Sequence, residues 1–186
     1  GKDGAKAYAQ THSAVLAGKR GCGEFSLSPE SISQIPTGTK LVLPSPNGST
    51  LTFDAEAKCV LAGCLRNAKA VADYAMTQGE SVTVVPAGER WKEDGLIRFA
   101  LEDLIGAGAI ISYLNGTCSP EAAAAHAVFQ ENRHVLEKTL KECASGRELV
   151  DMGFASDVVW AADLNASQTV PRFMKPRYVN ANAITE

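Results

Sequence analysis

Three acids, Glu89, Glu102 and Asp103, and two guanidinium groups, Arg66 and Arg90, are the side chains whose types and spacing suit chemistry on an anion. Carboxylates carry protons or act as hard oxygen ligands, and a guanidinium pairs with carboxylate or phosphate oxygens through a planar fork. Gly48, flanked by Asn47 and by the hydroxyls of Ser49 and Thr50, adds backbone N–H groups and side-chain donors that can cradle an oxyanion. The same Asn-Gly pair is also the commonest hairpin signal, with Leu51 to Phe53 as a short partner strand. Asn67 either caps the helix after it or faces a ligand beside Arg66. Mg2+ takes one or two protein carboxylates, waters and phosphate oxygens, so the inventory suits metal-assisted hydrolysis of a phosphate ester. Each piece also has a plainer account. Glu89 and Arg90 read equally as a solvated loop pair, and Glu102 and Asp103 as acids attracted to the positive end of a helix.

The elements that must position these groups can be read from apolar runs and breakers. Ser81 to Val85 is a β-branched run of strand length, and Pro86 removes a ladder donor, so the chain leaves the sheet there. Ala87 to Trp91 then lies at the carboxyl end of a strand, where open parallel sheets place ligands. Phe99 to Leu114 reads as a helix whose Gly106 and Gly108 allow close packing on the sheet. Glu102 and Asp103 fall in its first turns about 100 degrees apart, so at most one of the pair lies squarely on a given face. Lys40 to Pro44 and Lys58 to Gly63 read as two further strands, and Ala68 to Thr77 as a crossover helix. The expected fold is a single α/β domain over residues 1–186, a mostly parallel sheet flanked by helices in three layers. The loops at Asn47 to Thr50, Arg66 to Asn67 and Gly88 to Arg90 then converge on one edge.

Outside this frame, Ala5 to Ala17 reads as a helix entered without a preceding strand, so the chain start looks like a cut end. Lys19 to Ser26 is a glycine-rich loop, and Ser28-Pro29 opens a short helix. Glu121 to Cys143 reads as one long helix started by Ser119-Pro120, Ser145 to Met152 as a short helix, and Phe154 to Ala162 as helical. Val170 to Met174 is an edge strand broken by prolines.

A net charge of -3 with no Lys/Arg cluster disfavours nucleic acid or an anionic membrane as partner. With no apolar run of spanning length and no signal-peptide pattern, the expectation is a cytoplasmic protein acting on a small anionic phosphorylated substrate. The 5 cysteines are odd in number, scattered and never in C-x-x-C spacing, so they read as reduced thiols. His126 and His134 are eight apart on a helix, too far for the usual metal pair, and His12 stands alone. There is no G-x-S-x-G elbow, Walker lysine loop, G-x-G-x-x-G turn or H-E-x-x-H.

Five segments in order, LPSPNGS (Leu43 to Ser49), AGCLRNA (Ala62 to Ala68), PAGERW (Pro86 to Trp91), ALEDLIGAGAI (Ala100 to Ile110) and SGREL (Ser145 to Leu149), resemble the 2-phosphosulfolactate phosphatase family. The resemblance implies an α/β fold, Mg2+ dependence and hydrolysis of a phosphate ester on a small sulfonated acid, a step of coenzyme M or sulfolactate synthesis. It also implies an opening strand with an Asp and an Arg followed by threonines, which this chain does not match, as a cut start would explain. Lys19 stands where many relatives carry an acid, and Arg66 where others have an uncharged residue. On this reading Glu89, Glu102 and Asp103 are the catalytic acids, Glu102 and Asp103 hold Mg2+, and Asn47, Gly48, Ser49, Arg66, Asn67 and Arg90 bind the substrate. Two rivals stand beside it: a non-catalytic binder of phosphate or sulfonate, and a structural subunit whose sheet edge pairs with another copy, as in a homodimer.

Overall fold

The structure, a computed structural model, describes residues 2–44, 46–91 and 93–183. Ser45, at the front of the expected oxyanion turn, and Lys92, in the charged loop, lie outside the described residues. The chain divides into two compact units, Gly1–Ser49 and Thr50–Glu186.

In the first unit, α1 (Lys2–Thr11) is shorter than the helix expected to reach Ala17. The Thr11 hydroxyl and a His12 ring nitrogen turn back onto the carbonyls of Ala7 and Tyr8, and Ser13 takes a positive φ of 50° that no helix continues. The released residues become β1 (Val15–Leu16), which pairs in parallel with β2 (Leu41–Val42), the expected strand. Between them lies α2 (Pro29–Ile32), opened by Ser28 and Pro29 as expected. After β2 comes the largest local departure. Pro46 to Asp54 forms a helix, α3, so Asn47, Gly48 and Ser49 occupy a first helical turn, and Leu51 to Phe53 continue it instead of making a hairpin strand. Proline fits at a helix start because its missing N–H has no partner there anyway.

The second unit is built around helices. A 3-10 turn at Leu65–Asn67 leads into α4 (Ala68–Gln78), as the sequence predicts. A two-residue hairpin follows, β3 (Glu89–Arg90) with β4 (Ile97–Arg98), and then α5 (Leu101–Ile111). The single long helix expected from Glu121 is instead α6 (Pro120–Asn132) and α7 (Leu136–Glu142). Asn132 breaks it: its amide donates to the Val128 carbonyl at 2.8 Å and its oxygen accepts from Thr139 at 2.9 Å, drawing the chain into a turn. Ser119 caps α6 by accepting from the Ala122 N–H. The helices α8 (Ala144–Asp151) and α9 (Ala155–Ala162) follow as read, and β5 (Pro171–Met174) pairs antiparallel with β6 (Arg177–Asn180).

The architecture is therefore mixed helix and strand, and its sheets are short. Among the described residues, parallel pairing is confined to β1 with β2 and to a Gly18–Ser26 bridge. The expected strand at Lys58 to Gly63 contributes only a bridge from Leu61 to Arg172, antiparallel to β5. Ser81 to Val85 joins no ladder among the described residues, and Val82 and Val85 stay exposed. A strand is completed by its neighbour's backbone, which an apolar run cannot supply by itself.

The core is helical. Ile105 and Ala109 of α5 are fully buried and pack with Leu65, Ala68 and Ala72 on one side and with Phe129, Leu136, Leu140 and Val158 on the other. Gly108 was expected to approach a sheet; it approaches α6. A Cβ there would run into the Ala125 carbonyl and lie 2.8 Å from Phe129 Cβ, whereas one at Gly106 would meet nothing within 4 Å. Gly108→Ala is thus expected to destabilise the protein by about 2–3 kcal/mol through overpacking. Gly106→Ala should leave it within about 1 kcal/mol of wild type, on the stabilising side, because Ala favours a helix. Urea unfolding of the two variants checks this. Equal midpoints would mean that the α5–α6 approach is not what limits residue 108.

Candidate functional site

The second unit brings the three predicted acids together. Asp103 and Glu102 sit in the first turn of α5, and Glu89 on β3 reaches the same region. Asp103 is half-buried, and its carboxyl is raised above the ordinary 3.8: burial contributes most, the Glu102 charge next, and Glu89 adds to it. Opposing them, the Gly88 N–H hydrogen-bonds to Asp103. Gly88 has a φ of 71°, and a Cβ would sit 3.2 Å from Ile97 Cγ2, so glycine is required for the turn that aims this N–H. The PAGERW segment works locally through that glycine.

Behind Glu102 stands Cys143, a reduced thiol. Its thiol donates to Glu102 Oε2 at 3.5 Å and lies 3.1 Å from the Leu140 carbonyl oxygen. Burial pushes this thiol up and the Glu102 charge adds to it, while the N–H groups of Gly146 and Ser145 act the other way. Gly146 must be glycine, since a Cβ would run into the Leu140 carbonyl. The SGREL segment thus fastens the start of α8 behind the acids.

The predicted cations are placed differently from one another. Arg90 stays on the exposed hairpin, where its Nη1 donates to the Gly95 carbonyl at 2.8 Å and its backbone N–H donates to Glu89 Oε1 at 2.8 Å. Arg66 is engaged by α9: Nη1 donates to the Trp160 carbonyl at 2.8 Å and to Asp163 Oδ2 at 3.1 Å, and the guanidinium lies 4.9 Å from the Trp160 ring. Asn67 is buried, accepting from the Cys64 N–H and donating to the carbonyls of Ala62 and Thr169. It stands before α4 with no side-chain cap bond; its amide ties the stretch from Ala62 to Cys64 to Thr169 instead. Asn47, Gly48 and Ser49 belong to the first unit and the acids to the second.

Two features went unread in the sequence. Arg98, across the ladder from Glu89, is buried with its guanidinium 5.4 Å from the Trp91 ring. A charged residue inside the apolar run Leu96 to Ala100 was the available signal. Second, a groove of about 600 Å³ lined by Phe53, Asp54, Lys58, Phe173 and Lys175 contains none of the predicted residues.

Among the described residues, no three of His, Cys, Asp and Glu are grouped to hold a metal ion. Nor does a histidine contribute: His126 faces Gln130 at 2.9 Å, and His134 accepts from Arg133 at 3.0 Å. A cation here would be held by a pair of carboxylates, which is the number Mg2+ takes from proteins when phosphate and water supply the rest.

Because burial and like charge disfavour the ionised form of Asp103, its contribution to stability is fully present below 3.8 and is lost as pH rises through the elevated value. Asp103→Asn is expected to melt higher than wild type at neutral pH in metal-free buffer, with the gain vanishing as pH falls toward the ordinary aspartate value. Thermal melts across that range check the sign. A variant less stable at neutral pH would mean that Asp103 is held by a partner outweighing its acidic neighbours.

Comparison with known proteins matches residues 2–176 to the family model described as 2-phosphosulpholactate phosphatase. A protein of Carboxydothermus hydrogenoformans named probable 2-phosphosulfolactate phosphatase is 36% identical over 137 residues, covering 72% of this chain and 55% of its own. One of Gloeobacter violaceus with the same name is 34% identical, covering 73% of this chain and 56% of its own. The 2-phosphosulfolactate phosphatase of Methanothermobacter thermautotrophicus is 30% identical over 167 residues, 88% of this chain and 70% of its own. The chain thus spans little more than half the length of the first two relatives.

Proposed function

Since the chain belongs to the 2-phosphosulfolactate phosphatase family, we propose that the protein carrying it is a phosphoric monoester hydrolase that uses Mg2+ to release phosphate from 2-phosphosulfolactate or a related small anionic acid. The observation that carries the reading is that half-buried Asp103, in the first turn of α5, lies within the charge of Glu102 and Glu89, so that burial and like charge penalise its ionised form, a penalty that a cation would relieve. Glu102 and Asp103 are the residues that would hold the ion. When bound, Mg2+ would draw charge from a phosphoryl oxygen and orient the ester.

The chain's own groups then divide the work. Glu89 is the proton carrier, held by the Arg90 N–H. Arg90 meets phosphate charge from the exposed hairpin, and the Gly88 N–H holds Asp103 in place. Arg66 and Asn67 act as supports, since Arg66 Nη1 and the Asn67 amide already meet protein acceptors.

The same reading extends to the whole protein. The exposed Val82 and Val85 of the apolar run at 81–85 support its service as a strand of a mostly parallel, three-layer sheet. Exposed Leu96, Ile97 and Phe99 on the hairpin support a homodimer. No helix among the described residues is long and apolar enough to cross a membrane, in keeping with a cytoplasmic role in sulfolactate or coenzyme M synthesis.

The test is phosphate release from 2-phosphosulfolactate by the full-length protein with and without Mg2+. Glu102→Gln and Asp103→Asn are expected to lower kcat/KM about 100- to 1,000-fold, and Glu89→Gln at least about 100-fold. Independently of turnover, Mg2+ at about 100 times its Kd should stabilise wild type by about 2.7 kcal/mol and Asp103→Asn hardly at all. Full activity in both α5 variants would remove the acids from the mechanism. Substrate binding without phosphate release would favour the non-catalytic binder.

A further inference from the structure

Resting on the phosphatase reading, we propose that Arg98 receives the second, non-phosphate oxyanion of the substrate, and so sets a preference for phosphate esters that carry a further negative charge. Its basis is a guanidinium on a buried side chain whose donors the protein takes up only in part. Arg98 is 8% exposed, and a guanidinium has five N–H donors in a fixed fork. Its guanidinium meets one neutral hydroxyl, Ser145 Oγ, at 3.2 Å and one carboxylate oxygen, Glu148 Oε1, at 3.5 Å, with Trp91 alongside. Glu148 itself is 46% exposed, and both contacts are made from one guanidinium nitrogen, Nη2. Arg66 is likewise engaged through one nitrogen, Nη1, but at shorter range: a carbonyl at 2.8 Å and a carboxylate at 3.1 Å, with an aromatic face, on a side chain 24% exposed. Arg98 is the more buried arginine with the longer contacts, its remaining donors are not sealed away, and a ligand carboxylate or sulfonate is the acceptor with charge and geometry to match them.

Placement agrees. Arg98 stands across the ladder from Glu89 and four residues before Glu102. Its partner Ser145 is two residues from Cys143, whose thiol contacts Glu102, so the cation and the acids are fastened to the same end of α8. The backbone N–H groups of Ser145 and Gly146 are directed at the Cys143 sulfur, which leaves the side chain of Arg98 as the anion receptor there. 2-Phosphosulfolactate carries a carboxylate and a sulfonate besides its phosphate, so a small substrate presents a second charge close to the ester.

The experiment compares Arg98→Met, Arg98→Lys and Ser145→Ala with wild type, in the full-length protein, on 2-phosphosulfolactate and on p-nitrophenyl phosphate. Losing a charged, forked contact is expected to raise KM for 2-phosphosulfolactate about 10- to 100-fold in Arg98→Met, with kcat within about 2-fold. Turnover of p-nitrophenyl phosphate, which has no second anion, should stay within about 2-fold of wild type. Arg98→Lys should recover part of the loss, and Ser145→Ala should show about a 3- to 10-fold rise in KM. 2-Phospholactate separates the two groups: a penalty that persists without the sulfonate assigns the carboxylate, and one that disappears assigns the sulfonate. Equal losses on the two esters, with or without a lowered Tm, or no loss on either, would overturn the proposal. If wild type hydrolyses neither ester, the phosphatase reading fails by itself, and calorimetry with sulfolactate judges Arg98: binding to wild type lost in Arg98→Met and partly kept in Arg98→Lys supports it, while equal or absent binding overturns it.

Discussion

The close approach of α5 to α6 at Gly108 is the constraint on which the second unit depends. With no side chain at that position, the α5 backbone lies against the Ala125 carbonyl and the Phe129 Cβ, and Ile105, Ala109 and Ile110 are carried into the core. A helix anchored along its later turns holds its first turn at a fixed place, and that turn carries Glu102 and Asp103. The acids are positioned by packing one to two turns away from them.

Around that fixed turn, charge is arranged against stability. Asp103 is half-buried beside two other carboxylates, with one backbone N–H in compensation, and a buried thiol stands against Glu102. A fold under no other demand would disperse these groups, since like charges at close range raise one another's free energy. The surrounding devices are local and inexpensive: a left-handed glycine that aims one N–H, a thiol at the helix start, and a glycine at residue 146 that lets α8 close on Leu140. Two arginines show how differently one residue type is used. Arg66 binds α9 to the turn before α4, whereas Arg98 is more deeply placed and held by longer contacts.

Helices were the legible part of the fold. Ser119-Pro120, Asn67 before an alanine-rich run, and Gly79 and Gly153 after theirs marked starts and ends that the chain uses, because capping and propensity act within a few residues. The helix continued through Asn132 was misread for a reason visible only in three dimensions, since Thr139, seven residues on, supplies the donor that holds the break. The turn at Asn47 was misread because Asn-Gly favours a turn only when no helix start claims it.

Residue types alone determined the chemistry on offer: hard acids, guanidinium forks, reduced thiols and no nucleophile elbow or phosphate loop. Ordered segments fixed the family. Tertiary structure decided which of these groups meet. It gathered Glu89, Glu102 and Asp103, committed Arg66 and Asn67 to holding segments together, and buried Arg98 beside Ser145. Strand partners and charge neighbours are contacts between residues far apart in the chain, and their choice depends on the whole packed core, whereas caps, turns and motifs depend on neighbours within a turn or two.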